Sequence, residues 1–279
     1  MEKKLLLFDV DGTLISYDGV VPESTIKAIK QAREKGHLVY VVTGRTKNRA
    51  TVGNIEVDGM ICGNGAYIEC DGITLKDLSL SLKDMEEITQ YLDEHHLDYF
   101  AEGNYGMYGS KHFEKNAVET YRKYGIKNPV IRELYPMMVF PESMVQPSIT
   151  KVNYILKSYD DYLQFKKHFP QFQCLTWGGK GEEVLFGDCA TKGINKEKAI
   201  HELIDYLKID PENIYAFGDA EVDICMFNIA KTSICVGSGR EEAKKVATYV
   251  TDDVKDDGIY NALKHFNLIG QENAQSLCK

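Results

Sequence analysis

The chain has 279 residues, 43% hydrophobic and 27% charged, with 42 acidic against 33 basic side chains and a formal net charge of −9. That length exceeds the usual single domain, and the composition is that of an ordinary soluble globular protein. No apolar run approaches the roughly 18 residues of a membrane span, and the negative charge without a basic cluster argues against a nucleic-acid partner.

The first residues, MEKKLLLFDVDG, are basic and then apolar, like the start of a signal peptide, but the apolar run is too short and is broken by Asp9. The seven cysteines are odd in number and show no CxxC or Cys/His metal spacing. Cys62, Cys225 and Cys235 lie in apolar stretches and read as reduced core thiols, which fits a cytoplasmic protein. His95 and His96 end a helical stretch and read as a solvated helix end.

Residues 4–8 (KLLLF) form a buried-strand pattern that stops abruptly at Asp9-Val10-Asp11-Gly12-Thr13. Residues 24–35 have a helical period closed by Gly36, and 37–42 (HLVYVV) form a second buried strand ending at Thr43-Gly44-Arg45. Strand, helix and strand at this spacing make a parallel βαβ unit, in which ligands sit beyond the C-terminal strand ends. Residues 59–62 read as a strand leading into Gly63-Asn64-Gly65-Ala66, and 67–75 as a hairpin turning at Asp71-Gly72.

From Leu82 the texture changes. Helical periods at Met85, Ile88 and Leu92 and over 113–124 alternate with strands at 98–101, 152–156 and 173–177, while 129–147 reads as connecting segments with a short strand. The βαβ rhythm returns near Asp188: a helix over 196–207 capped by Asn195, a strand over 213–217 ending at Gly218-Asp219, a helix over 224–230, a strand over 233–236, a helix over 241–247, a short strand at 249–251 and a helix over 259–266. The expected organisation is an α/β domain from 1–81 and 188–279, with an inserted α+β domain over 82–187. An insertion of that length must carry its own core, and it is expected to form a lid over the polar strand ends.

Four polar clusters fall at strand or helix ends: Asp9 with Asp11, Thr43, Lys196, and Asp219 with Asp223. Together they match what attack on a phosphate ester requires, namely a nucleophile, a proton donor for the leaving oxygen and positive charge on the phosphoryl oxygens. Asp9 suits the nucleophile and Asp11 the acid and then the base. Thr43 and Lys196 suit the phosphoryl oxygens, and Asp9 with Asp219 suits Mg²⁺, which takes few carboxylates beside water and phosphate.

DVDGT at 9–13, TGR at 43–45, NGA at 64–66, KGINK at 192–196 and GDAEVD at 218–223 resemble, in order and spacing, the motifs of the haloacid dehalogenase superfamily. The likeness is to its Cof-type branch (subclass IIB), which carries a C2-type cap between the second and third motifs. The resemblance implies a Rossmann-like parallel-sheet core, an α+β C2-type cap, Mg²⁺ dependence and phosphatase activity on small phosphorylated metabolites such as sugar phosphates, through an aspartyl-phosphate. It also implies metal ligation by the Asp9 side chain, the Asp11 backbone carbonyl and Asp219, with Asp223 supporting them. Phosphate or substrate contacts would come from Thr43, Gly44, Asn64 and Lys196, the last chosen over Lys192 and Lys198 by register. One departure is plain: the branch reads GDGxND where this chain has Ala220 and Val222.

Each motif residue also has a structural reading. Thr43 can cap a helix, Arg45 reads as structural, and Asn64 between two glycines can serve a left-handed turn. In the insertion, Tyr105, Tyr108, Lys111, Trp177 and Lys180 sit in glycine-rich loops suited to a sugar or a second phosphate. A phosphotransferase or mutase, or a metabolite-binding regulator with weak phosphatase activity, uses the same residue set. The expected partner is a small phosphorylated metabolite, with the protein a monomer or homodimer.

Overall fold

The computed structural model describes residues 2–123, 125–177 and 185–270. The chain opens with β1 (Leu5–Phe8), α1 (Glu23–Glu34), β2 (Leu38–Val42), β3 (Gly59–Cys62), β4 (Tyr67–Cys70) and β5 (Ile73–Asp77). It continues through α2 (Leu82–Glu94), β6 (Tyr99–Gly103), β7 (Met107–Gly109), α3 (Phe113–Lys123), α4 (Ile131–Leu134), β8 (Met138–Val139), β9 (Ile149–Ile155), α5 (Tyr159–His168), β10 (Phe172–Trp177) and β11 (Phe186–Thr191). It closes with α6 (Lys196–Leu207), β12 (Ile214–Gly218), α7 (Ile224–Ile229), β13 (Thr232–Cys235), α8 (Glu241–Val246), β14 (Tyr249–Val250) and α9 (Gly258–His265). No helix among the described residues is long and apolar enough to cross a membrane.

Two compact units result, one from 1–45, 49–76 and 195–279, the other from 46–48 and 77–194. The first is built on an eight-stranded sheet of order β14-β13-β12-β1-β2-β3-β4-β5. Its six strands from β14 to β3 are parallel, and β4 runs antiparallel to β3. β1 shows why. Its four residues are fully buried, and the period of two divides them between two layers. Leu6 and Phe8 join the cluster formed with α1 and α9, while Leu5 and Leu7 join the one formed with α6 and α7. Each such side chain contributes about 1.5–3 kcal/mol of burial free energy, so a strand without a solvent face is stable only at the centre of this sandwich.

The second unit has a six-stranded mixed sheet, β10-β11-β9-β6-β7-β8, antiparallel except where β7 meets β8. One face carries α2 and α5, packing Met85, Ile88, Leu92 and Phe165 against Tyr99, Val152 and Tyr154. Both helices begin with a capping box, from Ser81 and Asp84 in α2 and from Ser158 and Asp161 in α5.

The unit boundaries differ from the sequence expectation of 82–187. The reason is β11: its six residues pair with β9 and β10 in the second sheet, so Asp188 lies inside that unit rather than at the return of the core. α5, β7 and α4 carry no strong sequence signal, and α5 has two lysines and a histidine in its last turn alone. Lys180, the Trp177 side chain, Tyr124 and Cys278 lie outside the described residues.

Candidate active site

The site grows from strand register. Phe8 of β1 pairs with Val41 of β2 on one side and Phe217 of β12 on the other. Asp9 lies one residue past β1, Thr43 one past β2 and Asp219 one past β12, so all three leave the sheet at the C-terminal ends of adjacent parallel strands. The backbone holds them there. Asp9 N–H donates to the Phe217 carbonyl (2.9 Å), Thr43 N–H to Ile61 (2.9 Å), and Arg240 N–H to the Asp219 carbonyl (2.7 Å).

Asp9, Asp219 and Asp223 are buried, at 7%, 1% and 0% exposure, and each offers a carboxylate oxygen within 4.8 Å of the others. The ammonium facing them is Lys196, the first residue of α6, itself only 8% exposed. Its Nζ lies 2.8 Å from Asp223 Oδ1 and 3.9 Å from Asp9 Oδ1. The Asn195 side chain accepts from the Lys198 N–H at 2.8 Å and so fixes the start of the helix that presents Lys196. Asp223 Oδ2 accepts from the N–H groups of Asp219 (3.1 Å) and Ala220 (3.2 Å), tying the GDAEVD turn to the lysine.

These charges are unbalanced. Burial, then Asp223, pushes the Asp9 carboxyl well above the ordinary range, more than Lys196 pulls it down. Burial likewise raises Asp219. Burial alone would lower Lys196, but Asp223 and Asp9 outweigh it and raise it. Three buried carboxylates around one ammonium fit a site that takes a further cation, which would offset their mutual repulsion.

Asp11 is placed differently. Its side chain is 52% exposed and is clamped by Arg45, with Nε donating to Oδ2 (2.8 Å) and Nη2 to Oδ1. Two carboxylates two residues apart thus have separate surroundings, one among buried charges and one on a guanidinium fork. Arg45, read from sequence as structural, is the partner of Asp11.

Thr43, Gly44 and Asn64 form a second group. Asn64 N–H donates to the Thr43 carbonyl (3.1 Å), and Thr43 Oγ1 accepts from the Arg45 N–H (3.1 Å). Asn64 takes the left-handed conformation (φ 55, ψ 31) that its two glycine neighbours suggested, and its side chain is exposed. Gly65 must be glycine for a second reason besides its φ of +100: a Cβ there would strike the Asn195 carbonyl at the start of α6.

The departure at 220 and 222 costs little locally. Ala220 has extended backbone (φ −127, ψ 170), which needs no glycine, and Val222 points outward at 66% exposure. Sequence reading missed two residues. Thr13 Oγ1 donates to Asp219 Oδ1 (3.3 Å), and the Tyr17 hydroxyl donates to Asp219 Oδ2 (2.6 Å). Thr13 belongs to the DGT signature and could have been found there, whereas nothing in the sequence marks Tyr17. In the second unit, Tyr105 and Lys111 are exposed and Tyr108 half-buried, and Lys47 lies 5.3 Å over the Tyr105 ring.

A family model described as haloacid dehalogenase-like hydrolase matches residues 6–263. YkrA of Bacillus subtilis (strain 168) is 25% identical over 273 residues, covering 96% of this chain and 100% of its own. The 5-amino-6-(5-phospho-D-ribitylamino)uracil phosphatase YcsE of the same organism is 24% identical over 276 residues, covering 95% of this chain and 96% of its own. Among solved structures, the HAD subclass IIB sugar phosphatase BT4131 superposes with a TM-score of 0.67 at 24% identity, covering 96% of this chain and all of that one, and shares the fold. The chain belongs to the haloacid dehalogenase-like hydrolases, in the Cof-type branch, and is a phosphatase of that family.

Proposed function

We propose that the protein is a Mg²⁺-dependent phosphomonoesterase acting on small phosphorylated metabolites, sugar or polyol phosphates, through an aspartyl-phosphate on Asp9. The observation that carries this reading is the buried Asp9 flanked by Lys196 and Asp219 at the ends of adjacent parallel strands. The name of YcsE, a phosphatase of a phosphoribityl compound, supports the substrate class.

Asp9 attacks phosphorus while Asp11 gives a proton to the departing oxygen, so the ester bond breaks as the Asp9–phosphorus bond forms. Asp11 then takes a proton from water, the water oxygen bonds to phosphorus, and the bond to Asp9 breaks to release inorganic phosphate. Lys196 and the Thr43 hydroxyl hold phosphoryl oxygens, with the Gly44 and Asn64 backbone and side chain completing the cradle. The Asp9 carboxylate, the Asp11 carbonyl and Asp219 would hold Mg²⁺, with Asp223 anchoring Lys196 and the turn. When bound, the ion supplies positive charge that keeps Asp9 ionised and lets a phosphate dianion approach it. Asp11 is half exposed and held by both donors of the Arg45 fork, so it gives up one of these bonds as it takes a proton and meets the leaving group.

Phosphate release from an aryl phosphate, several sugar phosphates and a phosphoribityl compound, with and without Mg²⁺, tests the reading. Turnover of the sugar or polyol esters that disappears in Asp9→Asn is expected. A folded Asp9→Asn protein that still turns over any of them sinks the mechanism.

A further inference from the structure

Tyr17 is an anomaly in the core unit. Its side chain is 70% exposed, yet its hydroxyl reaches a carboxylate that is 1% exposed, at 2.6 Å. A ring so exposed contributes little burial free energy, and phenylalanine would serve equally well for what packing it has. The feature that distinguishes the tyrosine is the hydroxyl.

The turn that carries it is built to place it. Ser16 N–H donates to the Val20 carbonyl (2.9 Å), Val20 N–H to the Ser16 Oγ (3.2 Å), and Gly19 N–H to the Ser16 carbonyl (2.7 Å). Asp18, next in sequence, is ion-paired with Lys255, which ties the tip of the turn to the far end of the core chain. On its other side, Asp219 meets Gly12: a Cβ at that position would overlap both the Asp219 carboxylate and the Tyr17 ring. The bare Gly12 backbone therefore leaves room for the phenol to meet the carboxylate.

We propose that Tyr17 is a positioning residue for the divalent-cation site, fixing the rotation of the Asp219 carboxylate through its hydroxyl. This rests on the reading that Asp9 and Asp219 take such a cation. Each carboxylate oxygen has two lone-pair directions, so one that accepts from a phenol can still ligate an ion. With the phenol present, both oxygens of Asp219 are tethered, Oδ2 at 2.6 Å and Oδ1 by Thr13 at 3.3 Å. Without it, only the longer bond remains and the carboxylate can turn. Partners that orient metal ligands in this way typically govern 10–100-fold of metal affinity.

The test is calorimetric titration of the metal-free, full-length protein with Mg²⁺ and with Mn²⁺, comparing wild type, Tyr17→Phe and Tyr17→Ala. Both variants are expected to melt within a degree or so of wild type and to bind each ion about tenfold more weakly, by equal amounts. In an Asp219→Asn background, Tyr17→Phe is expected to change nothing further, since its effect runs through that carboxylate. A tyrosine ultraviolet difference signal on adding metal, present in wild type and absent in Tyr17→Phe, gives a readout independent of affinity. Tyr17→Phe binding both ions as tightly as wild type, or weakening binding equally in the Asp219→Asn background, overturns the proposal. If wild type binds neither ion, the cation reading falls and the proposal with it.

Discussion

The two units place polar groups in opposite ways. In the core, the parallel strands carry no charged residue, and the charged groups begin one residue beyond them, as at Asp9 and Asp219. In the second unit, polar groups sit within the strands. Glu102 of β6 is buried, accepts from Asn153 Nδ2 of β9 at 2.8 Å and lies 3.3 Å from the Lys151 ammonium, while Asn153 Oδ1 has no partner among the described residues. A parallel sheet covered on both faces tolerates charge only at its ends, so its chemistry collects at one edge. The second sheet carries α2 and α5 on one face and α3 and α4 on part of the other, so the polar groups within its strands are buried and held by partners inside the sheet. The core therefore gathers its charged groups at one sheet edge, whereas the second unit keeps some of its own inside the sheet.

The sharpest way to break that contrast is Asp9→Asn, expected to lower turnover of every phosphate ester by about 10⁴-fold or more without changing the folded circular-dichroism spectrum. A loss confined to some esters would mean that the core does not carry the common step. Next comes Lys196→Met. It leaves Asp9 and Asp223 without their shared cation, and denaturant unfolding of the metal-free protein is expected to show a loss of about 3–5 kcal/mol together with loss of turnover. Chelation by EDTA is expected to suppress turnover and added Mg²⁺ to restore it, as phosphate-release assays would show. In the second unit, Asn153→Ala removes the amide that donates to buried Glu102, and denaturant unfolding is expected to show a loss of about 1–3 kcal/mol. An unfolding free energy equal to that of wild type would show that Glu102 does not need this donor.

The smallest effect is pH-dependent and belongs to the core. Burial lowers the pKa of His37, whose Nδ1 accepts from the Lys4 N–H at 3.2 Å and whose Nε2 is buried without a partner among the described residues. The unfolded chain therefore takes up a proton that the folded chain refuses. The stability linked to this group is complete above about pH 6.5 and is lost as the pH falls below that value. Thermal melts of His37→Gln are expected to show a shallower decline on the acid side than wild type.

The same difference between the units decides what the sequence reveals. In the core, strand, helix and turn agree with one another. β3 and α6 fall at the residues that the apolar pattern and the Asn195 cap indicate, and the polar clusters stand out against apolar neighbours. In the second unit, β9 mixes Lys151 and Asn153 with Val152 and Tyr154, and β11 reads FGDCAT, so charge inside a strand looks like its end. That is why the unit extends past Asp188 to 194. Within the site, residues joined by local motif were legible, whereas the partners that approach across space were not. Arg45 meets Asp11, and Tyr17 meets Asp219, only because the sheet brings distant segments together.

The pairing of β1 with β12 also sets an order of events. Leu5 lies beside Ile214 and Phe8 beside Phe217, so the middle of the core sheet joins segments from near opposite ends of the chain. Such distant pairing is slow to form, and on the ribosome it must wait until β12 has emerged. Until then β1 has β2 on one side and an open edge on the other. Nascent or truncated chains that end before β12 would hold Asp9 without Asp219 or Asp223, and so carry a sticky strand rather than a site. The chemistry is thereby withheld from every chain that stops short of β12.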